Sequence, residues 1–389
     1  MITRSAVLTA SGEERPYGES IPVRIEELEL DAPRENEVLV RIEAAGLCHS
    51  DLSVVNGDRV RPLPMALGHE AAGVVQAVGS KVTGLNVGDH VVMVYVPSCG
   101  VCSYCREGQP ALCEPGATSN GTGELLGGGR RLHTHDGADV HHHLGVSAFA
   151  EYAVVDASSA VRVDKRVPFD VAALFGCAMA TGYGSVVRTA EVKRGDTVVI
   201  IGAGGVGLAA VIAAVAAEAA AVIVVDPVAS KRDRAIELGA TLAIAPDDAS
   251  EVVKREFDGG ADWVFEAVGS AQVMEQAFAL TRRGGTTVYI GLPHPHAELH
   301  LPALAIIAES RTLKGSYMGS SRPQEDIPAM AELWLEGRLP VERLISAHRP
   351  LDEINDALES LADGTALRQI IHPHPTVPQP GPSTTEGLS

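Results

Sequence analysis

The run Thr197–Ile201 leads into Gly202-Ala203-Gly204-Gly205-Val206-Gly207 and then into an alanine-rich stretch. That order of strand, glycine turn and helix constrains the chain more than any other feature. Glycines at this spacing allow a tight turn and let a backbone approach a pyrophosphate, which sits at the N-terminus of the following helix. Asp226 follows Gly207 by nineteen residues, at the end of a second apolar run, Val222–Val225. A carboxylate there accepts hydrogen bonds from adenosine ribose hydroxyls and repels a 2′-phosphate, so NAD is expected. Lys231 and Arg232 nearby keep NADP open. Ala261–Glu266 and Thr286–Ile290 read as later strands of the same kind. Buried strands alternating with helices imply βαβ units and a doubly wound parallel sheet.

The first part of the chain has a different rhythm. Residues 1 to about 175 read as short strands broken by Gly and Pro turns, such as Glu37–Ile42 and Gly73–Gly79. This predicts a β-rich region. Helices are expected near 324–336 and 352–363. Residues 114–145, rich in Gly and His, read as a surface loop, and residues 373–389 as a disordered tail. The stretch Val206–Val225 is apolar except for Glu218 and about long enough to span a bilayer. Glycines before it and Asp226 after it favour a buried helix–strand pair instead. No internal repeat is visible.

Formal net charge is -19, from 31 basic and 50 acidic residues. Such a chain repels nucleic acids and anionic membrane surfaces, so neither is expected as a partner. The first twenty residues carry no apolar core of a secretory signal. The six cysteines are therefore expected as reduced thiols, and the protein as cytoplasmic.

Four of those cysteines crowd together as Cys99-x2-Cys102-x2-Cys105-x7-Cys113. Four thiolates at this spacing can close a tetrahedral shell around zinc and leave no site for water, which is the character of a structural metal. An iron–sulfur cluster is the alternative the same ligands allow. A dispersed set, Cys48, His69 and Cys177, offers three ligands and leaves one position open. Taken singly each has an ordinary explanation; Cys177 alone reads as a small core residue.

Together these residues resemble the zinc-containing medium-chain alcohol dehydrogenases. The resemblance covers roughly 1–372 and includes the segment from Cys48, Gly68-His69-Glu70, the four-cysteine lobe, Cys177–Gly184, the glycine loop and Ser310–Gly315. It implies a GroES-like catalytic domain at 1–178, with a structural zinc lobe near 95–115. A Rossmann NAD-binding domain at 179–317 and a return to the catalytic domain at 318–372 follow. Two zinc ions per chain are implied, the catalytic one held by Cys48, His69 and Cys177. The resemblance further implies that Glu70 approaches the metal, that Asp51 orients His69, and that Ser50 relays the alcohol proton. Asp51 also reads as a helix cap. Thr181 would pack on the nicotinamide, Lys231 contact a ribose, and Arg368 pair with the pyrophosphate. Tyr95 matches a bulky residue of the substrate pocket.

Three departures qualify the resemblance. Ser53 stands where many relatives end the proton relay with a His. His49 replaces an Arg often found against the pyrophosphate, so weaker cofactor binding and faster release are expected. Ala117 replaces the Arg of the glutathione-dependent formaldehyde branch, which disfavours a thiol-adduct substrate. The expected reaction is hydride transfer between an alcohol and NAD, giving aldehyde or ketone. A polyol dehydrogenase on the same fold is the enzymatic alternative, and a non-enzymatic dinucleotide-binding protein the other. The length resembles that of dimer-forming members of the family, which implies a homodimer paired near residues 298–316, with a tetramer as the alternative. His133, His135 and His141–His143 read as a solvated cluster rather than a further metal site.

Overall fold

A computed structural model of the chain describes residues 1–374. Six parallel strands form one sheet in the spatial order Leu242–Ile244, Ala221–Val225, Thr197–Ile201, Ala261–Glu266, Thr281–Tyr289 and Thr312–Gly315. The order reverses direction at Thr197–Ile201, so a crevice opens above the carboxyl ends of the central strands. The apolar stretch that could pass for a membrane span is the helix Gly205–Ala216 followed by the strand Ala221–Val225. Its residues bury because the sheet is covered on that face.

The β-rich region has two parts. Ile2–Leu8, Val23–Leu30, Leu132–His133, Asp139–His142 and Met65–Ala66 close a small barrel. A seven-stranded sheet runs Ala160–Arg162, His90–Met93, Ala71–Val78, Glu37–Leu47, Arg368–His372 and Ile345–Pro350, with Tyr152–Asp156 also paired to Glu37–Leu47. The strand Arg368–His372 lies antiparallel to Glu37–Leu47, with Gln369 opposite Leu47. This pairing carries the end of the chain back to the beginning of the first region. The helices expected near 324–336 and 352–363 form at Pro323–Leu335 and Ile354–Ala362.

Two expectations fail here. Residues 114–145 are not a loop: Glu114–Thr122 is a helix, and two strands of the barrel come from this segment. His142 and His143 are buried rather than solvated. Both errors share a cause, because composition does not reveal pairing. Arg131 is fully buried yet donates to Glu37 (Nε–Oε2 2.8 Å), and its backbone N–H donates to His142 Nε2 at 3.1 Å. Buried polar groups persist when each finds a partner. Of the segment expected as a tail, Pro373 is buried and the His374 ring meets Tyr152 edge-on; residues 375–389 lie outside the described residues.

A 22-residue helical run, Phe169–Ala190, joins the two regions. It is apolar enough to cross a membrane, but 83% of its most apolar window is buried inside the protein. Phe175–Met179 winds as a π-helix within it, placing Cys177 on an irregular turn. Such turns recur at functional sites because they redirect one side chain without ending the helix.

Candidate active site

Three separate pieces of backbone bring Cys48, His69 and Cys177 together. Cys48 follows the strand Glu37–Leu47 in an extended conformation and caps the helix His49–Val55. His69 follows Gly68, whose φ of +92° falls in the region that favours glycine. A Cβ at Gly68 would lie 2.4 Å from the Phe149 backbone nitrogen, so only glycine lets this turn pass beneath the barrel. Cys177 arrives on the π-helical turn. All three are buried, and their ligand atoms lie within 4.8 Å of one another.

The chemistry of this cluster fits a bound cation. His69 Nε2 is buried and has no hydrogen-bond partner among the described residues. Hydrogen bonding from the Cys177 thiol, assisted by the Arg368 charge, holds Cys48 well below the usual thiol range. Cys177 is correspondingly pushed up, because it supplies that proton and is buried. Two sulfurs sharing one proton beside an orphaned imidazole nitrogen are a set that a divalent ion would satisfy.

Asp51 organises the surroundings. Its Oδ2 accepts the backbone N–H of Cys48 at 3.0 Å, and its Oδ1 lies 3.0 Å from His69 Nδ1. It therefore caps the helix and fixes the His69 ring with Nε2 facing the thiols, so the two readings of this residue hold together. Burial raises the cost of its charge, but the two histidines beside it hold the carboxyl below its usual range. The second is His143, whose Nδ1 lies 3.2 Å from the same Oδ1 and whose ring meets His69 edge-on at 5.3 Å. Sequence reasoning missed His143. The run of three histidines was the available signal, but His143 lies just past the strand Asp139–His142 and is buried next to the equally buried His142, so alternation could not single it out.

Glu70 is also fully buried. Arg368 donates to its Oε1 at 2.9 Å, and the Ala178 N–H donates to Oε2 at 3.3 Å. Burial pushes the Glu70 carboxyl up to about 7, against the pull of Arg368. Arg368 is 3% exposed, so its charge lies inside the protein rather than on its surface. Its side chain packs against the glycine loop: a Cβ at Gly205 would lie 2.3 Å from Arg368 Nε, a nitrogen left without a partner.

The loop itself has the form its glycines predict. Gly202 has φ +97°, and a Cβ at Gly207 would meet the Gly202 carbonyl at 1.8 Å. Nothing lies within 4 Å of a Cβ at Gly204, so the turn faces open space. Val206 enters the helix whose N-terminus points there. Asp226 accepts N–H groups from Ala203 and Val228, each at 2.8 Å. Arg232 donates to the carbonyls of Asp226 and Pro227 rather than standing free. His49 opens to the same cleft; desolvation, with the Arg368 and Lys231 charges, lowers its imidazole. An open turn beside an unpartnered guanidinium nitrogen and a helix N-terminus suits a phosphate.

Ser50 Oγ lies 3.9 Å from Cys48 Sγ. Ser53 donates its hydroxyl to the His49 carbonyl at 2.8 Å, one turn back on its own helix. Tyr95 is buried, edge-on to His69 at 5.6 Å and to Tyr317 at 6.4 Å. Tyr317 also borders a cavity of about 500 Å³, walled by Leu112, Met274, Ile290 and Leu292. Thr181 is buried on the helix turn after Cys177.

The four-cysteine lobe is compact. Its sulfurs lie within 4.8 Å of one another, and none is in a disulfide. Backbone N–H groups of Cys102 and Cys99 donate to the sulfurs of Cys99 and Cys113, at 3.3 and 3.2 Å. Hydrogen bonding from the Val101 backbone lowers Cys99 to about 7, while burial pushes Cys105 up to about 12. Sulfurs cradled by amides, with no apolar residue of the short helix Ser103–Arg106 buried, suit a cation that all four can share.

Comparison with known proteins agrees with this architecture. Residues 34–165 match the alcohol dehydrogenase GroES-like domain and residues 205–336 the zinc-binding dehydrogenase domain. The chain is 40% identical over 376 residues to an NDMA-dependent alcohol dehydrogenase of Amycolatopsis methanolica, covering 95% of this chain and 99% of that one. Among solved structures, an alcohol dehydrogenase zinc-binding domain protein from Burkholderia ambifaria superposes with a TM-score of 0.91 at 36% identity, covering 96% of this chain and all of that one. Benzyl alcohol dehydrogenase from Acinetobacter calcoaceticus superposes with a TM-score of 0.89 at 32% identity, covering 96% and 99%. The fold, the buried cysteine–histidine cluster and these relatives together make the chain a member of the zinc-containing medium-chain alcohol dehydrogenase family, and its activity alcohol oxidoreduction.

Proposed function

We propose that the chain transfers a hydride between a primary, secondary or aromatic alcohol and NAD, in the cleft between the GroES-like and dinucleotide-binding regions. The observation that carries this reading is the Glu70–Arg368 ion pair. It joins the thiol–imidazole cluster on one side to the open glycine turn on the other. Cys48, His69 and Cys177 would hold zinc, which supplies Lewis acidity toward an alcohol or carbonyl oxygen, while a bound nicotinamide supplies the hydride acceptor. A second zinc would be held by Cys99, Cys102, Cys105 and Cys113 in a structural role.

The chain's own residues divide the remaining work. Ser50 takes the alcohol proton. Ser53, committed to the His49 carbonyl, does not extend that relay, so the proton leaves toward the cleft. Tyr95, buried edge-on to His69, and Thr181 exclude water beside the cluster and favour an apolar, including aromatic, substrate over a polyol. Asp226 and Lys231 bind the adenosine ribose, and Arg368, His49 and the helix N-terminus the phosphates. Arg232, held on backbone carbonyls, is poorly available to a 2′-phosphate, which favours NAD over NADP. The open edge strand Thr312–Gly315, with exposed Leu304 and Ile307 beside it, supports a homodimer. Six cysteines outside disulfides support a reducing, cytoplasmic setting.

The name of the Amycolatopsis relative favours a second reading, in which NDMA rather than free NAD is the electron acceptor. One experiment separates the two. Zinc per chain is determined on purified protein, and a panel of alcohols is offered with NAD or with NDMA. Two zincs and NAD reduction abolished by Cys48→Ser support the first reading. Turnover with NDMA alone supports the second. Two zincs with no turnover on either acceptor would reject this choice of substrate and cofactor while leaving the family membership intact.

A further inference from the structure

Asp170, His348 and His372 converge on the surface from three distant stretches of chain. Asp170 lies in the first turn of the helix Phe169–Leu174, His348 in the strand Ile345–Pro350, and His372 ends the strand Arg368–His372. The two strands pair in parallel, with Pro350 opposite His372. His348 Nδ1 and His372 Nε2 are 3.1 Å apart, and the rings stack at 20°. Asp170 Oδ2 is 3.6 Å from His348 Nδ1, and Oδ1 is 3.7 Å from His372 Nε2. We infer that these three side chains form a further transition-metal site, of the zinc class, separate from both cysteine clusters.

The two imidazole nitrogens lie within hydrogen-bonding distance of each other, at 3.1 Å, and the carboxylate does not. At 3.6 and 3.7 Å the carboxylate is too far from either imidazole for a hydrogen bond. A tetrahedral ion with bonds of about 2.0–2.2 Å separates its donors by about 3.3–3.6 Å; each carboxylate oxygen lies at or just beyond that separation from one imidazole, and one donor atom from each residue lies within 4.8 Å of the others. The tautomer also suits. His372 Nδ1 lies 3.3 Å from the Glu43 carbonyl, which can only accept, so Nδ1 carries the proton and Nε2 presents its lone pair. Two imidazoles and one carboxylate are a donor set that takes zinc or copper in preference to calcium or magnesium. Partial exposure of all three leaves the open side to solvent. An ion here would tie the start of the helical run that bears Cys177 to the strand that bears Arg368.

The test uses the full-length protein, dialysed until its zinc content is constant and then titrated with Zn²⁺ alone. One further equivalent per chain is expected above the retained metal, with a rise in the thermal midpoint as Zn²⁺ is added. The double variant His348→Gln/His372→Gln should lose both the extra equivalent and the rise, while keeping the unmetallated midpoint and the retained zinc of the parent. Asp170→Asn alone should weaken the extra equivalent about tenfold or more, and it decides the matter if the double variant folds poorly. No extra equivalent in the parent, or an extra equivalent that survives these substitutions unchanged, overturns the inference.

Discussion

At the scale of single residues, the candidate site depends on groups that do two things at once. Asp51 accepts from Cys48 N–H and faces both His69 and His143. Asp51→Asn should release zinc from the Cys48–His69–Cys177 cluster about 10- to 100-fold more readily, measured by competition with a chromogenic chelator. His143→Phe keeps a ring in place but removes one partner of a buried carboxylate. It should cost about 1–3 kcal/mol in urea unfolding; equal midpoints for variant and parent would show that the contact is idle. The four-cysteine lobe was legible from its spacing, whereas Cys48, His69 and Cys177 were legible as a set only through the family resemblance. His143 was not, because its role depends on a carboxylate ninety-two positions away in the chain.

At the scale of elements, the glycine loop and the returning strand form one device. The loop was readable, since strand, glycine turn and helix follow in order along the chain. Its contact with Arg368 was not readable from composition, because it requires Arg368–His372 to pair with Glu37–Leu47. Gly205→Ala tests the contact directly. The new Cβ would meet Arg368 Nε at 2.3 Å and push the guanidinium off the turn. Affinity for reduced dinucleotide, followed by nicotinamide fluorescence, should fall about tenfold, which is a loss of about 1.4 kcal/mol. Zinc content should stay that of the parent. In the other direction, His49→Arg should tighten dinucleotide binding and slow its release; unchanged affinity would count against a phosphate-facing role for this position.

At the scale of the whole molecule, the barrel hides a histidine that must stay neutral. Burial, with the Arg131 charge, holds His142 down at about 3, and its Nε2 accepts from the Arg131 backbone. An unfolded histidine titrates near ~6.5. Between those values the unfolded chain binds a proton that the folded chain refuses. The contribution is therefore fully present above about pH 6.5 and is lost as pH falls toward about 3, at up to ~1.4 kcal/mol per pH unit. Urea unfolding at pH 7, 6 and 5 should show His142→Gln with a shallower decline than the parent. Parallel declines would place the acid sensitivity elsewhere.

The sequence by itself determined the class of the fold, the glycine turn and the four-cysteine lobe, each of which is written in local spacing; the dispersed set Cys48, His69 and Cys177 came from the resemblance to a family. Only the tertiary structure decided that residues 114–145 build part of a barrel, that Arg131, His142 and His143 are inside, and that Arg368 bridges Glu70 to the glycine turn. The physical reason is that burial of a charge or an imidazole depends on finding a partner, and the partners here are brought together by pairing between strands far apart in the chain.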